Sequence, residues 1–142
     1  MAFFDSKVSV FKLDDSGGTL RTLTAYIDNI DGLPGARGMD VVTALGDTGQ
    51  KQIPGIANTT YSISGHWDPT ATTGPNAVLS GLALTATATA SFEYGPGGGS
   101  ASDIKYSGEC WCTEYKITSA VGNKVSFSAT FQVDGVVTPG TF

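Results

Sequence analysis

Along much of the chain apolar and polar residues alternate one for one, the period of a strand with one face in a core and the other in water. The cleanest stretch is Val125 to Asp134, where Val125, Phe127, Ala129, Phe131 and Val133 share one side and Ser126, Ser128, Thr130, Gln132 and Asp134 the other. The same beat runs through Tyr61, Ile63, Gly65 and Trp67 against Thr60, Ser62, Ser64 and His66. It returns in Ala86, Ala88, Ala90, Phe92 and Tyr94 against Thr87, Thr89, Ser91 and Glu93. Further strands are predicted over Lys7–Leu13, Leu20–Ile30 and Met39–Leu45, parted by Asp14-Asp15-Ser16-Gly17-Gly18 and Asp31-Gly32-Leu33-Pro34-Gly35, both built of turn-forming residues. Between Ile104 and Ile117 the apolar phase starts on even positions (Ile104, Tyr106, Cys110, Cys112) and ends on odd ones (Tyr115, Ile117). One residue must be inserted to change phase, so a β-bulge is predicted near Thr113.

Helical spacing occurs over Pro75–Leu84. Pro75 suits a first helical position after Thr73-Gly74, and Val78, Leu79, Leu82 and Ala83 fall on one side, with Gly81 a weak point. So short a helix does not stand alone and must lie across an edge or open end of the sheets. The expected fold is therefore mainly β: an antiparallel β-sandwich or flattened barrel of seven or eight strands with one short flanking α-helix over residues 75–84. A length of 142 residues suits a single domain, 1–142, and its ends are expected to be mobile.

Charge narrows the function. Eight Lys and Arg against 13 Asp and Glu leave a net charge of −5, which repels phosphate and argues against a nucleic-acid reader. No apolar run approaches the roughly 18 residues of a membrane span, and Met1–Lys12 lacks the basic-then-apolar order of an export signal, so neither is expected. Cys110 and Cys112, the only cysteines, would share one face of a strand without the geometry of an unstrained bridge, which fits a reducing compartment.

Candidate chemistry is sparse. His66, beside Trp67 and Asp68, reads more simply as a polar strand end before the Pro69 turn than as a catalytic or metal residue. Cys110 and Cys112 lack the further ligands that zinc needs. Gly97-Gly98-Gly99 is followed by no Lys-Ser/Thr and reads as a hairpin tip. Asp14, Asp15, Asp28 and Asp31 lack the spacing of a calcium loop, and no pair of carboxylates is placed for glycoside hydrolysis. No catalytic, cofactor or metal site is expected, and no cofactor.

Two loops exceed a tight turn, Gly46–Gly55 and Gly95–Ser100, and loops of this length commonly meet partners. The first supplies a candidate subunit-contact set: Gly46, Asp47, Thr48, Gly49, Gln50, Lys51, Pro54 and Gly55. The ends supply Phe3, Phe4 and Phe142, aromatics that either tuck into their own core or anchor on a neighbour; the neighbour is the expectation.

The segment Phe11-Lys12-Leu13-Asp14-Asp15-Ser16-Gly17-Gly18, the run from Leu20-Arg21 to Tyr26-Ile27, and the loop from Leu45-Gly46-Asp47-Thr48-Gly49 to Ile53-Pro54-Gly55 resemble the tail tube proteins of long, non-contractile-tailed bacteriophages. So do Phe92-Glu93-Tyr94-Gly95-Pro96-Gly97, Tyr106-Ser107-Gly108-Glu109-Cys110 and the close from Phe131-Gln132-Val133 to Phe142. The resemblance lies in their order and spacing over nearly the whole chain. It implies a β-sandwich or barrel subunit that closes into six-fold rings, stacked into a hollow tube for the genome, with a fold shared by contractile-tail and type VI secretion tubes. Implied partners are further copies of the chain, the tape measure, tail terminator and distal tail proteins, and DNA in transient, non-specific passage, with no membrane. The implied location is the virion tail, after synthesis in the host cytoplasm. Cys110-Trp111-Cys112 departs from the family pattern, and no immunoglobulin-like decoration domain is expected.

An acidic subunit suits a conduit, because a wall of like charge lets DNA slide without sticking. Ser126, Ser128, Thr130 and Gln132 are the candidate lumen face, with neighbouring subunits continuing the sheet edge to edge. The alternatives are a tube component of a tail-like secretion device and, from a different class, a small β-sandwich module binding carbohydrate or protein. The latter calls for a row of exposed aromatics, and Tyr94, Tyr106, Trp111 and Tyr115 differ in phase.

Overall fold

The computed structural model describes residues 3–142. The chain runs through β1 (Val10–Asp14), β2 (Leu20–Thr22), β3 (Ile27–Asp31), β4 (Arg37–Val41), β5 (Gln52–Ala57), β6 (Thr60–His66), α1 (Pro75–Leu84), β7 (Ala90–Gly95), β8 (Ile104–Thr118) and β9 (Ser126–Thr141). Seven strands hydrogen-bond in the order β2-β1-β7-β8-β9-β6-β3, every pair antiparallel, and β4 with β5 forms a separate two-stranded arm.

The long β8–β9 hairpin is the spine, and it is bent. Its ladder shifts register between Ser107 and Glu109 and again between Cys112 and Glu114, the second shift falling at Thr113 as the change of apolar phase predicts. Beside the first shift Gly135 of β9 takes φ +96°, a conformation that a side chain would strain. Across the first shift β8 pairs β7 through Tyr106–Cys110; across the second, where β8 runs Trp111–Thr118, β9 pairs β6 through Ser126–Gln132. One hairpin thus serves two layers, β2-β1-β7-β8 and β8-β9-β6-β3, which fold over each other. Tyr61 of β6 lies 6.0 Å from Phe11 of β1 and 5.0 Å from Phe92 of β7, between ring centroids, although those strands are distant in sheet order.

The core between the layers comprises Phe11, Leu13, Leu23, Tyr61, Ile63, Phe92, Phe127, Ala129, Phe131 and Val133, with Val78, Leu79 and Leu82 contributed by α1. The alternation in β6 and β9 is realised residue by residue: Tyr61, Ile63, Gly65, Phe127, Ala129, Phe131 and Val133 are buried while their neighbours face out. The helix occupies the predicted span and packs against β8. Asn76 in its first turn locks it down, its Oδ1 accepting from Trp67 Nε1 at 3.2 Å and from Tyr115 Oη at 3.0 Å.

Several boundaries differ from the sequence expectation, among them the strand expected over Met39–Leu45, which spans Arg37–Val41 because the chain turns into the tip held by Asp47 and Lys51. The stretch Lys7–Leu13 is strand only from Val10, because Asp5 accepts the Lys7 N–H and turns Ser6–Val8 into one 3-10 turn. Leu20–Ile30 is broken at Thr24–Tyr26, a 3-10 turn that carries the chain from the outer strand of one layer to the outer strand of the other; Thr24 Oγ1 accepts the Phe11 N–H there at 3.1 Å. In the predicted strand through Ala86, pairing begins only at Ala90. Finally, β9 continues through Pro139 and Gly140 to Thr141. Pro139 pairs with Tyr106 where β9 has left β6 behind, so its missing N–H faces an edge and breaks no ladder.

Candidate assembly surface

The predicted contact loop turns out to be the tip of an arm. Ile53, Pro54 and Gly55, expected in a loop, are strand residues of β5, with Met39 opposite Pro54 and Asp40 opposite Ile53. Pro54 is tolerated because β5 has only one neighbour and its other edge is open. The tip, Thr43–Lys51, is internally tied: Asp47 Oδ2 accepts the Ala44 N–H at 2.7 Å, Asp47 Oδ1 pairs with Lys51 Nζ at 3.1 Å, and the Lys51 N–H donates to Thr43 Oγ1 at 2.9 Å. The Ala44 N–H and Lys51 together hold the Asp47 carboxyl below the usual carboxylate range. Gly46, Asp47, Thr48, Gly49, Gln50 and Lys51 therefore form an ordered knuckle at the end of the arm.

What the sequence expectation missed is the apolar surface along that arm. Met39, Val41, Val42, Leu45, Ile53 and Ile56 are all exposed, Leu45 and Ile56 almost wholly. Met39, Val41 and Pro54 share one face, and Ile53 shares the other with Asp40, so neither face is purely polar. The signal was present in Met39–Leu45, whose apolar residues do not keep a two-residue beat.

A second surface is the outward face of the layer β8-β9-β6-β3. Register sets out its cross-strand rows: Trp111, Gln132 and Thr60; Glu114, Thr130, Ser62 and Asp31; Lys116, Ser128, Ser64 and Asn29; Thr118, Ser126 and His66. Ser126, Ser128, Thr130 and Gln132 thus run down the middle of a face rich in hydroxyls and nearly balanced in charge. Gln132 is tied in place, its Nε2 donating to Asn58 Oδ1 and Thr59 O, both at 3.1 Å. His66 sits at the end of its row, its Nδ1 2.7 Å from Lys124 Nζ, which also bridges to Asp28 at 3.2 Å.

Both sides of this layer are open. Beyond Cys110, the stretch Trp111–Thr118 of β8 pairs with β9 alone, and β3 pairs with β6 alone, among the described residues. A slot of about 250 Å³ floored by Phe11, Ile27, Ile30 and Tyr94 opens beside β3.

The termini divide. Phe3 and Phe4 are exposed, whereas Phe142 lies on its own chain: Lys12 and Lys105 each place their ammonium 5.4 Å from its ring centroid, and its N–H donates to Asp103 O at 3.0 Å. Cys110 and Cys112 are free thiols on the core side of β8. Burial pushes the first up to about 12 and the second up to about 11, far from a reactive thiolate. No group of three or more His, Cys, Asp and Glu placed to hold a metal occurs among the described residues.

No protein-family model and no curated protein matches the sequence. Solved structures do match, along the whole chain. A chain of the virion of a native gene transfer agent particle superposes with a TM-score of 0.77 at 13% identity, covering 98% of this chain and 100% of that one. The SPP1 tail tube gives 0.75 at 11% identity, over 99% of this chain and 80% of the other. The sheath-tube complex of an extracellular contractile injection system gives 0.68 at 11%, over 99% and 93%. At such identities the likeness is one of fold: the chain has the fold of phage-tail and injection-tube proteins.

Proposed function

We propose that the protein is a non-enzymatic structural subunit of a bacteriophage tail tube, assembling into hexameric rings that stack into a hollow conduit for genome delivery. The observation that carries the reading is the four-strand layer with two free edges and a polar outer face, in a fold matched end to end by tube proteins. Its four strands alternate in direction. A copy rotated about an axis roughly along the strands therefore offers its β3 antiparallel to the free stretch of β8, and repetition closes a barrel without edges. The gene transfer agent tail, with C6 symmetry, supports six as the ring number.

In that ring the row Ser126, Ser128, Thr130 and Gln132 lines the lumen. A wall of hydroxyls and balanced charge on an acidic subunit gives DNA few cations to bind, so it passes without being held. The arm, with Gly46, Asp47, Thr48, Gly49, Gln50 and Lys51 at its tip and Pro54 and Gly55 in its second strand, lies on a neighbouring subunit or ring, which covers its apolar residues. Phe3 and Phe4 anchor on a neighbour, and Phe142 adds whatever ring surface its own lysines leave free. Other tail proteins, namely the tape measure, terminator and distal tail proteins, meet the tube along its lumen and at its ends, and the finished tube resides in the virion tail after synthesis in the host cytoplasm.

Negative-stain electron microscopy of the purified protein at rising concentration tests this. Hollow filaments of uniform width are expected. A protein that stays monomeric at every concentration, and instead binds glycans or peptides, would overturn it.

A further inference from the structure

Both free edges of the polar layer are interrupted by one extra residue. On β3 the register jumps between Ile27 and Asn29, leaving Asp28 without a cross-strand partner; on β8 it jumps between Cys112 and Glu114, leaving Thr113 without one. Each extra residue is tied back into its own sheet. Thr113 Oγ1 donates to the carbonyl of Thr130 on β9 at 3.1 Å. Asp28 accepts from Ser64 Oγ on β6 at 3.4 Å and from Lys124 Nζ at 3.2 Å.

An edge is a template because its N–H and C=O groups repeat every two residues, and a bulge breaks that repeat, bends the strand and increases its twist. The five residues of β3 thus offer only Asn29–Asp31 in phase, and β8 is split into Trp111–Cys112 and Glu114–Thr118. We infer that the anchored bulges at Asp28 and Thr113 are a brake on assembly: they hold both edges out of pairing register in the free subunit, so that edges join only when a preformed end straightens them. This rests on the tube reading above.

The alternation makes the brake removable without repacking the core. With Thr113 deleted, Cys112 and Tyr115 still face inward and Glu114 outward, in the present pairing with Phe131, Ala129 and Thr130; with Asp28 deleted, Ile27 and Ile30 still face inward and Asn29 outward. Deleting Thr113, deleting Asp28, and Thr113→Val, which removes the anchoring hydroxyl alone, can each be compared with the parent protein by light scattering and electron microscopy, with circular dichroism to confirm the fold.

The deletions should lower the concentration at which unseeded tubes appear by about tenfold, as regaining two or three cross-strand pairs implies, with Thr113→Val intermediate. Folded deletion variants that need the same concentration as the parent, or that no longer form tubes, overturn the brake while leaving the tube reading intact. If a deletion fails to fold, the other deletion and Thr113→Val decide. A parent protein that never polymerises, seeded or unseeded, sinks the tube reading and the brake with it.

Discussion

The phenol oxygen of Tyr61 lies 3.2 Å from the thiol sulfur of Cys110 in the middle of the core, and the thiol in turn donates to the Ala90 carbonyl at 3.4 Å, which leaves the phenol as donor. The contact ties β6 of one layer to β8 at the point where β8 passes into the other. Tyr61 also stacks on Phe131 at 4.9 Å and touches Phe92 and Phe11, so its ring is the joint between layers.

Its two parts should separate in mutants. Tyr61→Phe keeps the ring and loses one hydrogen bond, costing about 1 kcal/mol. Tyr61→Ala removes the ring and should cost about 3–5 kcal/mol. Urea unfolding of the monomer measures both; equal losses would contradict the division.

The buried thiols make the fold sensitive to alkali. Desolvation pushes Cys110 up to about 12 and Cys112 up to about 11 from an ordinary value of 9.0, and Tyr61 is raised by burial as well. The folded chain then holds protons that the unfolded chain releases, so stability is intact below about pH 9 and falls as pH rises toward the folded values. Urea midpoints should hold up to about pH 9 and drop as pH rises beyond it, and less steeply with Cys110→Ala and Cys112→Ala. A flat profile would count against this linkage.

Gly65 is required by close approach. A Cβ there would lie 1.9 Å from the Tyr26 carbonyl oxygen and 2.8 Å from Ile27 Cα. Gly65→Ala should force β3 away from β6, lowering stability by about 1–3 kcal/mol and also spoiling the free edge of β3. Thermal melts and filament yield report the two effects.

The arm should be dispensable for folding and needed for assembly. Met39→Asp and Ile53→Asp alter exposed side chains outside the buried core, so the monomer should melt within about 0.5 kcal/mol of the parent. Sedimentation should nevertheless show no rings or filaments; normal filaments would remove the arm from the contact.

Cations on the proposed lumen should make the conduit adhesive. Ser128→Lys with Thr130→Lys replaces two outward side chains and leaves the core untouched. The variant should still form tubes yet retain DNA in a filter assay, with binding that falls steeply as salt rises. DNA bound equally by parent and variant tubes would move the lumen to another face.

Much of this was legible in the chain. Strict alternation in Thr60–His66 and Ser126–Asp134 told inward from outward because strand side chains repeat every two residues, whereas Val125, expected inward, lies before the strand and is exposed; the change of phase before Tyr115 located the bulge at Thr113. Helical spacing after Thr73-Gly74 gave α1 its bounds. Pro54 misled because proline is a breaker only where an N–H is needed, and whether a strand lies at an edge is set by its neighbours. Phe142 could not be assigned to its own chain because Lys12 and Lys105, which hold it, are remote in sequence.

Local pattern, then, determined the strand-rich class, the single helix, the inward residues and the acidic surface, since each depends on neighbours a few positions apart. Only the tertiary structure decided that β8 serves two layers, that β3 and the far end of β8 are left open, and that β4 and β5 leave the body as an arm. Those are properties of long-range pairing, in which the partner of a strand is chosen by the whole sheet and not by the strand itself.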